Sequence, residues 1–247
     1  MEIKNLQNPF PDAPVYYRDV TDSTMEDSKK SATAGILHGT VFSTEFQEKG
    51  RGRIRGRRWH SGKGQNLMFT LVLRRDHLTH ELHHLPLIAG AALLDAATRF
   101  TGEAFSLKWP NDLIFGGRKC AGILCEADST YFYCGMGINC NQENFPPEIE
   151  YKTTSLREIT RRNIDRDDFL VEILGSFKNL LDSGDLWISL VEKFLYLSGE
   201  TIEVRDGWAG SEDIVRGINR GIGNDGQLLI EEESGIIREI YAGEIEI

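Results

Sequence analysis

The chain has 247 residues, of which 40% are hydrophobic and 27% charged, and its formal net charge is -10. This length allows one large core, or a catalytic domain with a small appendage, and the composition excludes a disordered or fibrous protein. The acidic balance argues against broad binding to nucleic acid or anionic membranes, because the field repels phosphate. No apolar run approaches the ~20 residues of a membrane helix, and the N-terminus lacks the apolar segment of a signal peptide.

The four cysteines show neither a CxxC pair nor a ligand-like spacing with histidine. Three of them (Cys120, Cys125 and Cys134) lie in apolar, strand-like stretches, where a free thiol behaves as a small hydrophobic side chain. We therefore expect structural thiols and a reducing, cytoplasmic environment.

The first 198 residues mix helical and strand patterns. After an irregular lead-in over residues 1–14, β-branched runs and helical spacing predict a strand at 15–20, a helix from Asp22 or Ser23 to about Gly35, and strands at 40–47 and 66–73. A buried helix at 85–97 follows, then paired strands at 105–116 and 119–126 joined by Gly116-Gly117, and a strand at 131–139. The last predicted elements of this part are a helix from Asp165 to Gly184 and a short helix within 185–197. Strands and helices segregated in this way favour an α+β fold with a mixed or antiparallel sheet.

The chain from Gly199 onward has a different pattern. Short strands at 202–204, 214–218, 228–230 and 236–240 follow closely on one another, with Asn224-Asp225-Gly226 as a tight turn. Such spacing predicts a small antiparallel barrel. We place a domain boundary near residue 198, giving domains 1–198 and 199–247.

Common catalytic signatures are missing: there is no phosphate-binding GxxxxGK[ST] loop, no GxGxxG after a strand, no HExxH and no GxSxG. Four histidines, at 77, 80, 83 and 84, cluster before the buried helix. Spacing fixes no acidic or cysteine partner for them, so we favour a surface cluster over a metal site.

Three elements could carry chemistry together. In the Arg/Gly loop (residues 49–62), glycines allow close backbone approach and arginines bind carboxylate or phosphate. In Lys108-Trp109-Pro110-Asn111-Asp112, Pro110 interrupts strand pairing, and two hard oxygen ligands follow that suit Mg²⁺ bound with phosphates. A turn is the simpler interpretation of that string. Finally, Lys119 opens an apolar strand, and Gly122 permits close contact with whatever the lysine holds.

The chain resembles the biotin–protein ligase family over nearly its whole length, and the motifs of the family occur in the same order along it. The resemblance rests on seven motifs: Asp22-Ser23-Thr24, Gln47 with Gly50-Arg51-Gly52-Arg53, Trp59, Lys108 to Asp112, Lys119 to Leu124, Gly135 to Asn139, and Thr154-Ser155-Leu156. It implies a catalytic domain like that of biotin ligases and class II aminoacyl-tRNA synthetases, followed by an SH3-like barrel.

The resemblance also implies an activity: ATP activates biotin to biotinyl-5′-AMP, and biotin then passes to a lysine of a biotin carboxyl carrier domain. It assigns catalysis to Lys119, Arg51 and Arg53, and magnesium to Asp112 and Asn111. Nucleotide would be bound by Lys108, Trp109, Asn111 and Asn139. Biotin would be bound by Ser23, Thr24, Met25, Gln47, Arg51, Gly52, Arg53, Lys119 and Gly122.

Two departures from the family pattern stand out. Met25 occupies the position of the family's usual asparagine, so a polar side-chain contact is lost there. The loop from Gly50 to Trp59 is one residue longer than usual, which puts Arg55, Gly56, Arg57 and Arg58 in doubt. With only 22 residues before Ser23, we expect no helix-turn-helix domain and no nucleic-acid partner. For the oligomeric state, we expect a monomer or homodimer.

Two alternative functions stay open. One is a lipoate ligase or octanoyl transferase of the same fold, which would be expected to lack the GRGR loop and the KWPND string. The other is a non-catalytic biotin-binding or RNA-binding protein that uses the Arg/Gly loop. The acidic charge and the absence of aromatic residues between 49 and 58 disfavour RNA.

Overall fold

The computed structural model describes residues 1–54, 56–207 and 213–246. In its larger part, eight strands and six α-helices are described: β1 (Glu2–Lys4), β2 (Val15–Thr21), α1 (Thr24–Ala32), β3 (Thr40–Gln47), β4 (Asn66–Arg74), α2 (Leu85–Thr101), β5 (Ser106–Lys108), β6 (Asp112–Phe115), β7 (Arg118–Ala127), β8 (Tyr131–Asn139), α3 (Pro147–Glu150), α4 (Leu156–Thr160), α5 (Arg166–Asp182) and α6 (Leu186–Lys193).

The eight strands form one sheet in the order β1-β2-β3-β4-β8-β7-β6-β5. Among the described pairings of this sheet, β2 with β3 is parallel and the others are antiparallel. Helix α1 connects the two parallel strands, because a parallel pair needs a crossover. The prediction of an α+β fold with a mixed sheet is confirmed.

The alternation of side chains along β4 separates two cores. Leu67, Phe69, Leu71 and Leu73 pack into the large core that also contains the buried residues of α2 and α5. Val72, on the opposite face, belongs to a smaller cluster with Met25 of α1. Because successive strand residues point to opposite faces, α1 and its surroundings lie across the sheet from α2 and α5.

The chain from Thr201 forms five further strands: β9 (Thr201–Asp206), β10 (Ile214–Ile222), β11 (Leu228–Glu231), β12 (Ile237–Ile240) and β13 (Gly243–Glu246). They form an antiparallel sheet in the order β12-β11-β10-β9-β13, which confirms the predicted antiparallel strands, but among the described residues this sheet is not closed into the predicted barrel. The indole N–H of Trp109 donates to the Gly226 carbonyl at 3.0 Å and joins this domain to the larger part.

The structure corrects several predicted boundaries. The lead-in contains the edge strand β1, and α1 ends at Ala32 rather than near Gly35. Helix α2 extends to Thr101, where Gly102 adopts a φ of 80° and terminates it. Strands β5 and β6 are separated around Pro110, as predicted. The short helices α3 and α4 and strand β13 were not predicted, since three to five residues carry too little periodicity.

The four cysteines are free thiols; three are buried and Cys125 is half-buried. Among the described residues, no helix combines the length and the apolar character that a membrane crossing requires.

Helix α5 offers a direct test of local stability, because the Asp165 carboxylate accepts hydrogen bonds from the backbone N–H groups of Asp167 and Asp168. We expect Asp165→Ala to lower the free energy of unfolding by about 1 kcal/mol in urea. The matched control is Asp185→Ala, since Asp185 precedes α6 but its side chain makes no capping hydrogen bond. Equal losses in the two variants would contradict the capping role.

Candidate active site

A cleft opens on the sheet face that carries α1, between this helix, the Arg/Gly loop and strands β4, β7 and β8. It encloses about 540 Å³, including the part open to solvent. Its lining combines polar and apolar side chains, as small-molecule sites commonly do.

The floor of the cleft consists of glycines that the strand register brings together. Gly122 of β7 pairs with Gly137 of β8, and Gly135 lies two residues away on the same face. A Cβ atom at Gly137 would lie 2.6 Å from the Trp59 indole, and one at Gly135 would lie 3.1 Å from the Met25 methyl carbon. The missing side chains therefore allow Trp59 and Met25 to approach the sheet closely.

One end of the cleft is polar and tightly bonded. The Gln47 Oε1 atom accepts from the Thr24 backbone N–H at 2.9 Å and lies 3.2 Å from the Thr24 hydroxyl. The Thr24 hydroxyl is also 2.9 Å from the hydroxyl of Thr70. Ser23 is buried, and its side chain makes no capping bond to α1. This end offers donors and acceptors in fixed positions to a small polar group.

Lys119 lies at the opposite end, where β7 begins. Its Nζ atom is 2.7 Å from Asp112 Oδ1, and it also lies close to Gly122, where an added Cβ atom would be 3.1 Å away. The neighbouring Asn111 donates from Nδ2 to the Ile123 carbonyl at 2.8 Å. Lys119 and Gly122 therefore lie close together, as the sequence predicts, and the ammonium group of Lys119 already forms an ion pair with the Asp112 carboxylate.

The arginines of the loop are also paired. Arg51 lies 2.8 Å from Glu26 and 2.9 Å from Glu126. The protein itself therefore supplies the counter-charge of Arg51.

Two more arginines of the loop contact the C-terminal domain. Arg53 donates to the Gly243 carbonyl at 2.6 Å, and Arg57 forms an ion pair with Glu244. Burial lowers the pKa of Arg53, and Glu244 opposes that shift. The C-terminal domain thus holds two arginines of the loop that borders the cleft.

The loop folds as a narrow hairpin, in which Arg51 bridges Arg58 and the Gly52 N–H donates to the Arg57 carbonyl at 3.0 Å. Gly56, within this hairpin, has a φ of 88°. Arg55 lies outside the described residues.

Lys108 stands next to the cleft without lining it. Burial lowers the pKa of Lys108, while the carboxylates of Asp112, Glu244 and Glu246 raise it and the charge of Lys119 lowers it further. Its ammonium group therefore lies between the cation-rich end of the cleft and the C-terminal domain.

The structure does not bring two predicted nucleotide-binding side chains to the cleft. The Trp109 side chain is buried and bonded to Gly226. The Asn139 amide is also buried, where it accepts from Asn66 and donates to the Thr154 carbonyl. Both side chains hold elements together, because their polar atoms are bonded within the protein.

All nine predicted biotin-binding residues line the cleft: Ser23, Thr24, Met25, Gln47, Arg51, Gly52, Arg53, Lys119 and Gly122. Asn111 lines it as well. Further lining residues received no role from the sequence: Trp59, Phe69, Thr70, Ile123, Leu124, Gly135, Met136 and Gly137. Glycines at alternate positions inside an apolar strand were the available signal, since they mark a close approach to the strand.

Comparison with known proteins shows the family to which the chain is similar. The chain matches the family described as "Biotin/lipoate A/B protein ligase family" over residues 17–141, and "Biotin protein ligase C terminal domain" over residues 197–247. The bifunctional ligase/repressor BirA of Bacillus subtilis (strain 168) is 31% identical over 243 residues, covering 94% of this chain and 73% of that protein. The biotin--[acetyl-CoA-carboxylase] ligase of Paracoccus denitrificans is 31% identical over 234 residues, covering 87% and 93%.

Solved structures give the same result. The biotin protein ligase from Aquifex aeolicus, in complex with biotin and ATP, matches with a TM-score of 0.82 and 33% identity. The match covers 94% of this chain and 97% of that one.

The glycine floor generates a prediction about Trp59. We expect Gly137→Ala to displace the indole, because the new methyl group would overlap it, and acrylamide quenching of tryptophan fluorescence should increase. Gly175→Ala in α5 is the control, since nothing lies within 4 Å of the added carbon. In a Trp59→Phe background, Gly137→Ala should not change the quenching; an equal increase there would show that Trp59 is not the residue displaced.

Proposed function

The chain belongs to the biotin protein ligases of the Biotin/lipoate A/B protein ligase family, and we propose that it converts biotin and ATP to biotinyl-5′-AMP and transfers biotin to a carrier-protein lysine. The observation that carries this proposal is the cleft itself. It places a polar end, formed around Thr24 and Gln47, opposite a cationic end formed by Lys119 and Arg53, while Arg51 lines the cleft near α1. Biotin has the matching asymmetry, with a polar ureido ring at one end and a carboxylate at the other.

The polar end suits the ureido ring. Ser23, Thr24 and Gln47 offer hydroxyl and amide groups there, while Met25 contributes an apolar wall against Gly135. Trp59 closes over the glycine floor and can cover the apolar middle of the substrate. Buried polar groups gain most when they are paired, so the ring should be recognised by hydrogen bonds.

The cationic end suits the reaction. In the first half-reaction, an oxygen of the biotin carboxylate attacks the α-phosphorus of ATP and pyrophosphate leaves. In the second, the carrier lysine attacks the acyl carbon of the anhydride and AMP leaves. Lys119, Arg51 and Arg53 would stabilise the negative charge that develops on the phosphoryl and acyl oxygens, and no covalent enzyme intermediate is required.

Asn111 and Asp112 are candidates for holding Mg²⁺. Their side chains carry hard oxygens at the cationic end, and Mg²⁺ is commonly bound by one or two protein oxygens together with water and substrate phosphates. The Asp112 carboxylate is buried on one oxygen and faces Lys119, so the donor set fits a cation bound with nucleotide. When bound, the metal ion neutralises phosphate charge.

The remaining proposals concern partners and location. The acceptor would be a biotin carboxyl carrier domain of a biotin-dependent carboxylase. Free thiols at all four cysteines support a cytoplasmic location. The acidic net charge supports a ligase without a nucleic-acid partner, acting as a monomer or homodimer.

Lipoate or octanoate ligation is the competing activity, because the family model covers both chemistries. The bonded cluster of Thr24, Gln47 and Thr70 favours biotin. A dithiolane or alkyl end would leave these buried polar groups without a substrate partner, which costs affinity.

One experiment separates the candidates. The protein is incubated with ATP, Mg²⁺ and either biotin or lipoate, and pyrophosphate release and the mass of an added carrier domain are measured. Biotin-dependent release with a biotinyl mass increase supports the proposal. Pyrophosphate release with lipoate but not with biotin would establish the rival activity. If neither compound caused pyrophosphate release, the protein would be a binding protein without ligase activity.

Lys119→Ala should reduce the rate of adenylate formation by about 10²–10³-fold, because it removes a positioned charge at the reacting group. The matched control is Lys63→Ala, which removes a lysine paired with Asp19 at the same 2.7 Å, in a more exposed position outside the cleft. Near-normal adenylation by Lys119→Ala, with an unchanged circular dichroism spectrum, would refute the assignment.

Gln47→Ala should raise the KM for biotin more than it lowers kcat. The ureido ring lies far from the reacting carboxylate, so its contacts hold the ground state and the transition state about equally. Gln47→Glu keeps an acceptor for the Thr24 N–H but loses the amide donor, and comparing the two variants separates positioning from direct binding. A fall confined to kcat at saturating biotin would argue against a ureido contact.

A further inference from the structure

Two histidines at the start of α2 meet an acidic side chain from the C-terminal domain. Ligand atoms of His83, His84 and Asp225 all lie within 4.8 Å of one another. Spacing along the chain fixes no acidic partner for these histidines, because Asp225 lies about 140 residues later, in the turn between β10 and β11. Folding brings that partner to them.

The geometry of the three side chains is open on one side and packed on the other. His83 Nε2 lies 3.8 Å from Asp225 Oδ1, and both side chains are more than half exposed. The His84 ring is half-buried, and its centroid lies 4.3 Å from the centroid of the His83 ring and 5.1 Å from that of the Trp187 ring. Its Nε2 atom is buried and has no hydrogen-bond partner among the described residues.

We propose that His83, His84 and Asp225 form a zinc site that ties the C-terminal domain to the start of α2. Neutral imidazole nitrogens and a carboxylate oxygen are ordinary ligands of Zn²⁺, and water would fill the fourth position. Nitrogen ligands do not suit Mg²⁺, which prefers oxygen donors. None of the three residues lines the cleft, so the site is separate from the candidate magnesium ligands.

The distances require only a small adjustment. Zinc bonds of about 2.0–2.2 Å in a tetrahedral site place ligand atoms roughly 3.5 Å apart. The 3.8 Å separation of His83 and Asp225 is already near that value. Since these two side chains are exposed, rotation about their side-chain bonds can bring them toward the more fixed His84 ring.

The position of Asp225 gives the site a consequence for the domain contact. The next residue, Gly226, accepts the hydrogen bond from Trp109, and its Cα approaches Leu87 so closely that a Cβ atom would lie 2.7 Å from the leucine side chain. Trp109 belongs to the string that ends in Asn111 and Asp112. A bound zinc ion would hold the 224–226 turn against this string, and it would stabilise the folded protein because unfolded chain lacks the assembled site.

The test uses untagged full-length protein stripped with a chelator and titrated with Zn²⁺ in competition with a chromophoric chelator. We expect one zinc ion per wild-type chain and a binding constant at least ~10-fold weaker in His83→Gln and in Asp225→Asn, since losing even an outer partner of a metal ligand typically costs 10–100-fold. Zinc should also raise the unfolding midpoint of the wild type but not that of Asp225→Asn.

His77→Gln is the matched control. His77 Nε2 lies 3.9 Å from Asp76 Oδ1, and the His77 side chain is 54% exposed, as is that of His83. Among the described residues, however, His77 and Asp76 do not belong to a group of three possible metal ligands. Its zinc binding should equal that of the wild type. The proposal is overturned if the wild type fails to compete with the chelator, if His83→Gln binds as tightly as the wild type, or if His77→Gln weakens binding equally.

Discussion

Cationic side chains line the cleft, and the protein neutralises them with its own oxygen atoms. Arg51 is held by Glu26 and Glu126, and Lys119 by Asp112. Without such partners, like charges in a half-buried cleft would repel one another and lose hydration. With the proposed site roles, an anionic substrate would exchange one set of ion pairs for another. The free energy of ground-state binding would then gain only the difference between the two sets, and the cations would still be placed to stabilise charge that develops during the reaction.

The same requirement explains why the C-terminal domain contacts the Arg/Gly loop. Strand β13 provides the carbonyl of Gly243 to Arg53 and the carboxylate of Glu244 to Arg57. Both contacts join residues about 190 positions apart, so they depend on the docking of the domain. Any change that loosens this docking should alter the loop without touching the substrate.

The sequence predicted strands with strong local patterns, and missed contacts that depend on the tertiary fold. Residues 40–47 and 131–139 match β3 and β8 at both ends, because β-branched and aromatic runs are bounded by turn residues. Edge strands β1 and β13 were missed because three or four residues cannot show a period. The carboxylates that hold Arg51 and Arg57 could not be identified either, since ion pairs over long sequence separations leave no pattern along the chain.

The string from Lys108 to Asp112 shows how a motif can serve two purposes. Asn111 lines the cleft and Asp112 pairs with Lys119, whereas Trp109 points into the domain contact and bonds to Gly226. Lys108 lies near the carboxylate of Asp112 and near those of Glu244 and Glu246 in β13. Five consecutive residues thus connect the reacting end of the cleft with the C-terminal domain. Because this connection is short and bonded at both ends, we expect a shift of the 224–226 turn to displace Asn111 and Asp112 as well.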